Sequence, residues 1–246
     1  MRPVTTSLET AEVSFGREAV RGYGAWPRTA HPLPGLVLIP DVRGLGDHYR
    51  DVARRFAAEG FFTLAIDLYS REGAPKLGSP AEAMAWIATL PDPRILGDLQ
   101  AAVDHLGAAR PGRRVGITGF CMGGQYALLA ACSLRGLSAC ASFYGMVRYP
   151  ERNERKPRSP LDAAADLSCP YLGIFGEEDP LIPMSDVAEL RERLGAAGKS
   201  FEIESYAGCG HAFLNYNRPD AYRREAAEAA FEKAVRFFSR HLPSAT

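Results

Sequence analysis

Val115-Gly-Ile-Thr-Gly-Phe-Cys-Met-Gly-Gly124 is the stretch on which the fold turns. Val115 to Thr118 reads as a short strand, and Gln125 to Cys132 as a helix. Between them, Gly119-Phe-Cys-Met-Gly123 follows the G-x-S-x-G pattern of a nucleophile elbow, with cysteine where serine usually stands. An elbow needs these residue types. Its nucleophile sits on a sharp, strained turn, and glycines two before and two after let strand and helix backbones pass without a Cβ clash. The helix N-terminus then presents amides and the positive end of its dipole to Cys121, which favours the thiolate. The plainer alternative is a buried cysteine on a Gly-rich turn. Neither a full G-x-G-x-x-G after a strand nor a full G-x-x-x-x-G-K-[ST] is present, so nucleotide binding is not expected.

Outward from this turn, short apolar runs recur: Leu36–Ile39, Phe61–Ile66, Cys140–Tyr144, Tyr171–Phe175 and Phe201–Ser205. Runs apolar on both faces suit a parallel sheet covered on each side. Helical periodicity separates them over Asp47–Glu59, Asp98–Leu106, Ser185–Leu194 and Ala221–Leu242. Two alternating segments, Glu12–Phe15 and Ala19–Trp26, predict an antiparallel hairpin at the start. The expected architecture is a single α/β unit over residues 1–246, a mostly parallel sheet of about eight strands with helices on both faces. Glu72–Pro93 and Met146–Pro160 break the rhythm as long connections of the kind that shape a site. The basic run Arg148–Arg158 inside the second reads as a solvated loop, with a substrate-anion contact as its alternative.

Lys plus Arg and Asp plus Glu number 29 each, so the formal charge is zero. Nucleic-acid and membrane binders usually carry a basic excess, which points instead to a small-molecule partner. The first thirty residues are charged throughout, no apolar run reaches the roughly 18 residues of a span, and the five cysteines form no C-x-x-C pair. A cytoplasmic protein, monomeric or weakly dimeric, is expected. The scattered histidines show no metal-ligand spacing, so neither metal nor cofactor is expected.

A cysteine nucleophile needs a base and the base an orienting acid. Asp179 follows a strand in Gly176-Glu-Glu-Asp-Pro180, and His211 follows the next in Ala207-Gly-Cys-Gly-His211. Glu177 and Glu178 compete for the acid role, though Pro180 favours Asp179 as the residue at the turn. Among the histidines only His211 lies in a Gly-rich loop after a strand; His31, His48, His105 and His241 flank elements or read as solvated helix positions. Nucleophile, acid, histidine is the chain order of the α/β-hydrolase arrangement.

These stretches, with Leu36–Gly44, Gly60–Tyr69, Phe143-Tyr144-Gly145 and Gly210–Phe213, make the chain resemble the dienelactone hydrolase family. The resemblance implies the α/β-hydrolase fold and a Cys121, Asp179, His211 triad. It implies a carboxylate after the third strand that helps ionise the thiol. That position is Asp41, where the family's best-known members have glutamate; a structural pair with Arg43 is the alternative role. It also implies an oxyanion hole from the amides of Val42 and Met122. Tyr144, in the Phe-Tyr-Gly motif, joins the candidate substrate contacts. The dienelactone-cleaving members place an arginine four residues after the histidine to hold the substrate carboxylate, where this chain has Asn215. An amide cannot replace that charge, so uncharged small lactones or esters are expected to be turned over comparably to carboxylated ones, unless Arg43, Arg71, Arg94 or Arg148 supplies a cation from another loop.

The resulting expectation is a carboxymethylenebutenolidase-like hydrolase that cleaves small esters or lactones through a thioester on Cys121. The competing expectation is a ligand- or redox-sensing protein on the same fold, with Cys121 as a reactive thiol and Cys209 as a resolving partner.

Overall fold

The computed structural model describes residues 7–29, 31–109 and 112–243. The hairpin forms as β1 (Leu8–Phe15) and β2 (Val20–Pro27), paired in full register from Leu8 with Pro27 to Phe15 with Val20. It begins earlier than the alternation suggested, because both faces of β1 are partly exposed and carry little pattern. There follow β3 (Gly35–Ile39), α1 (Asp47–Ala58), β4 (Phe62–Ile66), α2 (Pro80–Thr89) and α3 (Asp92–Ala108). The elbow joins β5 (Val115–Phe120) to α4 (Met122–Ser133). Then come β6 (Leu137–Phe143), a single turn α5 (Pro160–Ala163), β7 (Tyr171–Gly176), α6 (Met184–Ala196), β8 (Phe201–Tyr206) and α7 (Arg224–His241).

The eight strands form one sheet in the order β1-β2-β4-β3-β5-β6-β7-β8. Pairing is parallel from β4 through β8 and antiparallel at β1–β2 and β2–β4. Strands β3 and β5 are wholly buried, consistent with cover on both sides. Gly35, paired with Val115, faces Leu106 of α3; the next residue along β5, Gly116, faces Phe238 of α7 and Leu242 just beyond it. Since successive strand residues point to opposite faces, α3 and α7 lie on opposite sides of the sheet. Helix α1 joins α7 through Phe56, whose ring packs 4.7 Å from Phe231 and 6.2 Å from Phe238. Helix α4 packs with α3 and α5 on the other side.

Of the two long connections, Glu72–Pro93 is not irregular. It contains α2, opened by Ser79, whose side chain accepts from the Glu82 amide, with Pro80 in the first turn. Pro and Gly there mark the ends of a helix, which the composition alone disguised. Helix α7 begins at Arg224, three residues later than expected, because Asn215 to Tyr222 is spent on consecutive turns.

Candidate active site

All strands from β3 to β8 run parallel, so the residues that follow them gather at one edge of the sheet. Asp41 follows β3, Cys121 follows β5, Tyr144 follows β6, Asp179 follows β7 and His211 follows β8.

Cys121 has φ 56° and ψ −119°, a conformation non-glycine residues rarely adopt. The turn is held by close packing. A Cβ on Gly119 would lie 2.0 Å from the Gly123 carbonyl oxygen, and one on Gly123 would lie 2.2 Å from that of Ile39. Only glycine fits at either place. The Cys121 amide donates to Phe143 at 3.0 Å and its carbonyl accepts from Gln125 at 3.1 Å, tying the elbow to β6 and to the first turn of α4. Met122 opens α4, so its amide is among those left without an intrahelical acceptor.

Asp179 is fully buried as a side chain. Its Oδ1 accepts from the Leu181 amide at 2.9 Å, and its Oδ2 lies 2.8 Å from His211 Nδ1. Of the three neighbouring acids, this is the one that meets the imidazole; Glu177 instead accepts from Ser205 at 2.9 Å. His211 Nε2 is buried with no oxygen or nitrogen partner, and the imidazole interacts with the Cys121 sulfur. Burial disfavours the imidazolium. It is outweighed by the attraction of Cys121, the Asp179 hydrogen bond and the remaining charge interactions with both, and the pKa rises to about 10.

Asp41 is buried at the end of β3, and burial raises its pKa. Its Oδ1 accepts from the Arg43 amide at 2.8 Å, its carboxyl is hydrogen-bonded by Tyr49, and the His211 charge acts on it. The Arg43 guanidinium donates elsewhere, to the Leu77 carbonyl at 3.0 Å. The Val42 carbonyl is fixed by the Tyr69 hydroxyl at 2.9 Å, which also accepts from Trp86 of α2 at 3.3 Å.

Asp41 and Tyr49 line a cavity of about 450 Å³ with Arg43, His48, Asn215 and Arg218 among its other walls. Of the four candidate arginines, only Arg43 lines it. Arg71 is held by Asp98 through two bonds of 2.9 and 2.8 Å, and Arg94 by Glu72 at 2.9 Å; both line a separate cavity. Arg148 pairs with Asp186 at 3.0 Å and with Glu189. Each of these three already has a carboxylate. Asn215 is buried and shapes a turn, accepting from the Asn217 amide at 3.0 Å and, by its carbonyl, from Arg218 at 2.9 Å. That turn delivers Arg218 to the cavity.

Sequence reasoning passed over Arg218, Tyr49 and His48. Arg218 sits in a Pro-, Asn- and Asp-rich stretch without periodicity. Tyr49 lies on the buried stripe of α1, where an aromatic reads as core. His48 is buried, not solvated, with both ring nitrogens unpartnered, and burial lowers its pKa to about 4. The Arg148–Arg158 run also departs from a plain solvated loop: Lys156 is buried within it, 2.7 Å from Asp92. Cys209 is buried beside the histidine loop, its carbonyl accepting from the Glu178 amide at 2.9 Å, and burial raises its thiol pKa.

The sheet order and the sharp turn after β5 define an α/β-hydrolase fold. Within that class the chain belongs to the dienelactone hydrolase family, whose model matches residues 20–242; it is a hydrolase acting on ester or lactone bonds. It is 36% identical over 244 residues to a Bradyrhizobium protein named "Probable 2-oxo-3-(5-oxofuran-2-ylidene)propanoate lactonase", covering 98% of both chains. It is 35% identical to an Escherichia coli K12 protein named "Putative carboxymethylenebutenolidase", over 89% of this chain and 82% of that one. A crystal structure described as a "Putative Dienelactone Hydrolase" from Klebsiella pneumoniae superposes with a TM-score of 0.88 at 31% identity, covering 95% of this chain and 99% of the other.

Proposed function

We propose that the protein is a cysteine-dependent hydrolase of small lactones or esters that works through a thioester on Cys121. The observation that carries this reading is the placement of His211 between the buried Asp179 carboxylate and the sulfur at the elbow. The raised His211 pKa favours an imidazolium beside the Cys121 sulfur. Asp41, acted on by the same charge, favours that side of the proton transfer.

In the first step the Cys121 thiolate attacks the carbonyl carbon, and the developing oxyanion is held by the amides of Val42 and Met122. Collapse breaks the C–O bond, and His211 gives its proton to the leaving oxygen. The neutral imidazole then takes a proton from water, whose oxygen attacks the thioester. Collapse of the second intermediate releases the acid and restores the thiolate. Asp179 keeps the imidazole oriented throughout.

The substrate class we infer is a lactone bearing a carboxylate. The Bradyrhizobium relative is named for such a molecule, and the adjoining cavity carries two guanidiniums, Arg43 and Arg218, where Asn215 offers none; Asp41, Asp47 and Asp220 line it too, and Asp220 pairs with Arg218 at 3.1 Å. The test is one equivalent of iodoacetamide followed by peptide mapping, alongside Cys121→Ala. Alkylation at Cys121 should abolish hydrolysis of such a lactone, and full activity in the variant would sink the mechanism.

A further inference from the structure

Tyr144 combines two features that packing does not account for. Its side chain is fully buried, yet its hydroxyl has no hydrogen-bond partner. A buried polar group left unpaired is costly and calls for a reason. Its backbone is also held at φ 39°, in the left-handed region that a bulky residue avoids. The neighbours enforce that conformation: the Tyr144 amide donates to Ile174 at 2.7 Å, and Gly145 is pressed so closely on the start of α4 that a Cβ would lie 2.4 Å from the Gln125 amide nitrogen. Strain and an orphaned hydroxyl at one residue, at the functional edge of the sheet, indicate a group kept ready for something that binds.

The strand order says where that something lies. Counting from Cys121 at the end of β5, Val42 sits to one side, after β3, while Tyr144 and His211 come from the other, after β6 and β8. The Tyr144 ring stands edge-on to His211 with centroids 5.4 Å apart, and its hydroxyl is acted on by the charges of Asp41, Cys121 and Asp179. Tyr144 Oη has no partner, and His211 Nε2, on the ring it packs against, has no oxygen or nitrogen partner. With the carbonyl oxygen turned toward Val42 and Met122, the leaving oxygen of a bound ester faces this second side. We propose that the Tyr144 hydroxyl is a catalytic hydrogen-bond donor to the leaving oxygen, supporting it while His211 delivers the proton.

Burial, followed by the nearby negative groups, keeps the phenol protonated well beyond its ordinary range, so it remains a donor at any working pH. Its bond to the leaving oxygen strengthens as negative charge grows there, which is the condition for it to speed the reaction. The proton itself comes from His211, so no second transfer is needed.

This inference rests on the thioester reading above, and the experiment separates the two. Tyr144→Phe keeps the ring against His211, Phe120 and Phe213 and deletes only the hydroxyl. Wild type and variant are compared on a p-nitrophenyl ester and an ethyl ester of the same acid, with Cys121→Ala in parallel and Tm measured for each. Ethoxide leaves poorly and needs support; p-nitrophenoxide spreads its charge and does not. The variant should lose about ten- to a hundredfold in kcat/KM on the ethyl ester and less than about threefold on the aryl ester. Its Tm should hold or rise, because an unpaired buried hydroxyl has been removed. Equal losses on both esters, no loss on either, or a lowered Tm would overturn the role for Tyr144. Activity surviving in Cys121→Ala would instead overturn the thioester reading.

Discussion

At the scale of single residues, Asp41 and His211 yield direct tests. Asp41→Asn keeps the shape and the bond from the Arg43 amide while removing the charge that favours the imidazolium. The pH midpoint for alkylation of Cys121 should therefore move upward; an unchanged profile leaves Asp41 a structural role. His211 gives a stability test with a definite sign. Its folded pKa, about 10, lies above the ordinary 6.5, so folding favours the protonated form. That contribution is fully present below about 6.5 and is lost as pH rises through about 10. Chemical denaturation of wild type and His211→Gln at several pH values should show the wild-type advantage shrinking between neutral and strongly alkaline pH. A gap that widens over that interval refutes the ion-pair description. At this scale much of the candidate site was legible in the sequence. Cys121, Asp179 and His211 each follow a strand, and strand ends are marked by apolar runs and glycine. The cation was not. Arg71, Arg94 and Arg148 look as available as Arg43 in one dimension, and only folding shows that each already faces a carboxylate.

Elements explain why that limit exists. The strands and the elbow are encoded locally, in period and in glycine placement, and their order follows from the rules of parallel sheets. What covers them depends on long-range partners. Lys156 looks like one more charge in a basic loop, yet its ammonium is buried against Asp92 of α3 at 2.7 Å and the Tyr126 hydroxyl of α4 at 2.6 Å. Tyr149, from the same loop, donates to Asp92 at 2.9 Å and accepts from Gln125 of α4 at 3.2 Å. Five side chains thus fasten the Met146–Pro160 segment to the N-terminus of α3 and the first turn of the nucleophile helix. Burial lowers the Lys156 pKa, opposed by Asp92. Breaking such a pair from one side leaves a buried charge without its partner, a loss of about 3–5 kcal/mol. Lys156→Met should lower unfolding free energy by that order in denaturant titrations, whereas Arg152→Ala, in the same loop but exposed, should change it by less than about 0.5 kcal/mol. Equal, small effects would mean that the segment is not anchored through this cluster.

The whole molecule sets the final test, because its formal charge is zero. Such a protein has no overall field with which to gather anions, so any preference for a carboxylated substrate must come from local cations. Two of them, Arg43 and Arg218, line the cavity beside Asp41, and Arg218 is partly offset by Asp220 at 3.1 Å. The expected pattern is therefore short-ranged. Selectivity for a lactone acid over its methyl ester should fall about tenfold or more in Arg218→Ala, the loss of one charge-assisted contact. It should fall only modestly between low and physiological salt, since a contact inside a cavity is screened less than a diffuse surface field. Asn215→Arg offers a converse check, adding the charge absent at that position, and should raise kcat/KM for the acid relative to the ester. Matched kinetics on the acid and ester pair decide the matter. If wild type does not distinguish them, the carboxylate reading fails and uncharged lactones or esters become the substrates. If it does, and Arg218→Ala leaves the ratio intact, the cation is Arg43, the other arginine that lines the cavity.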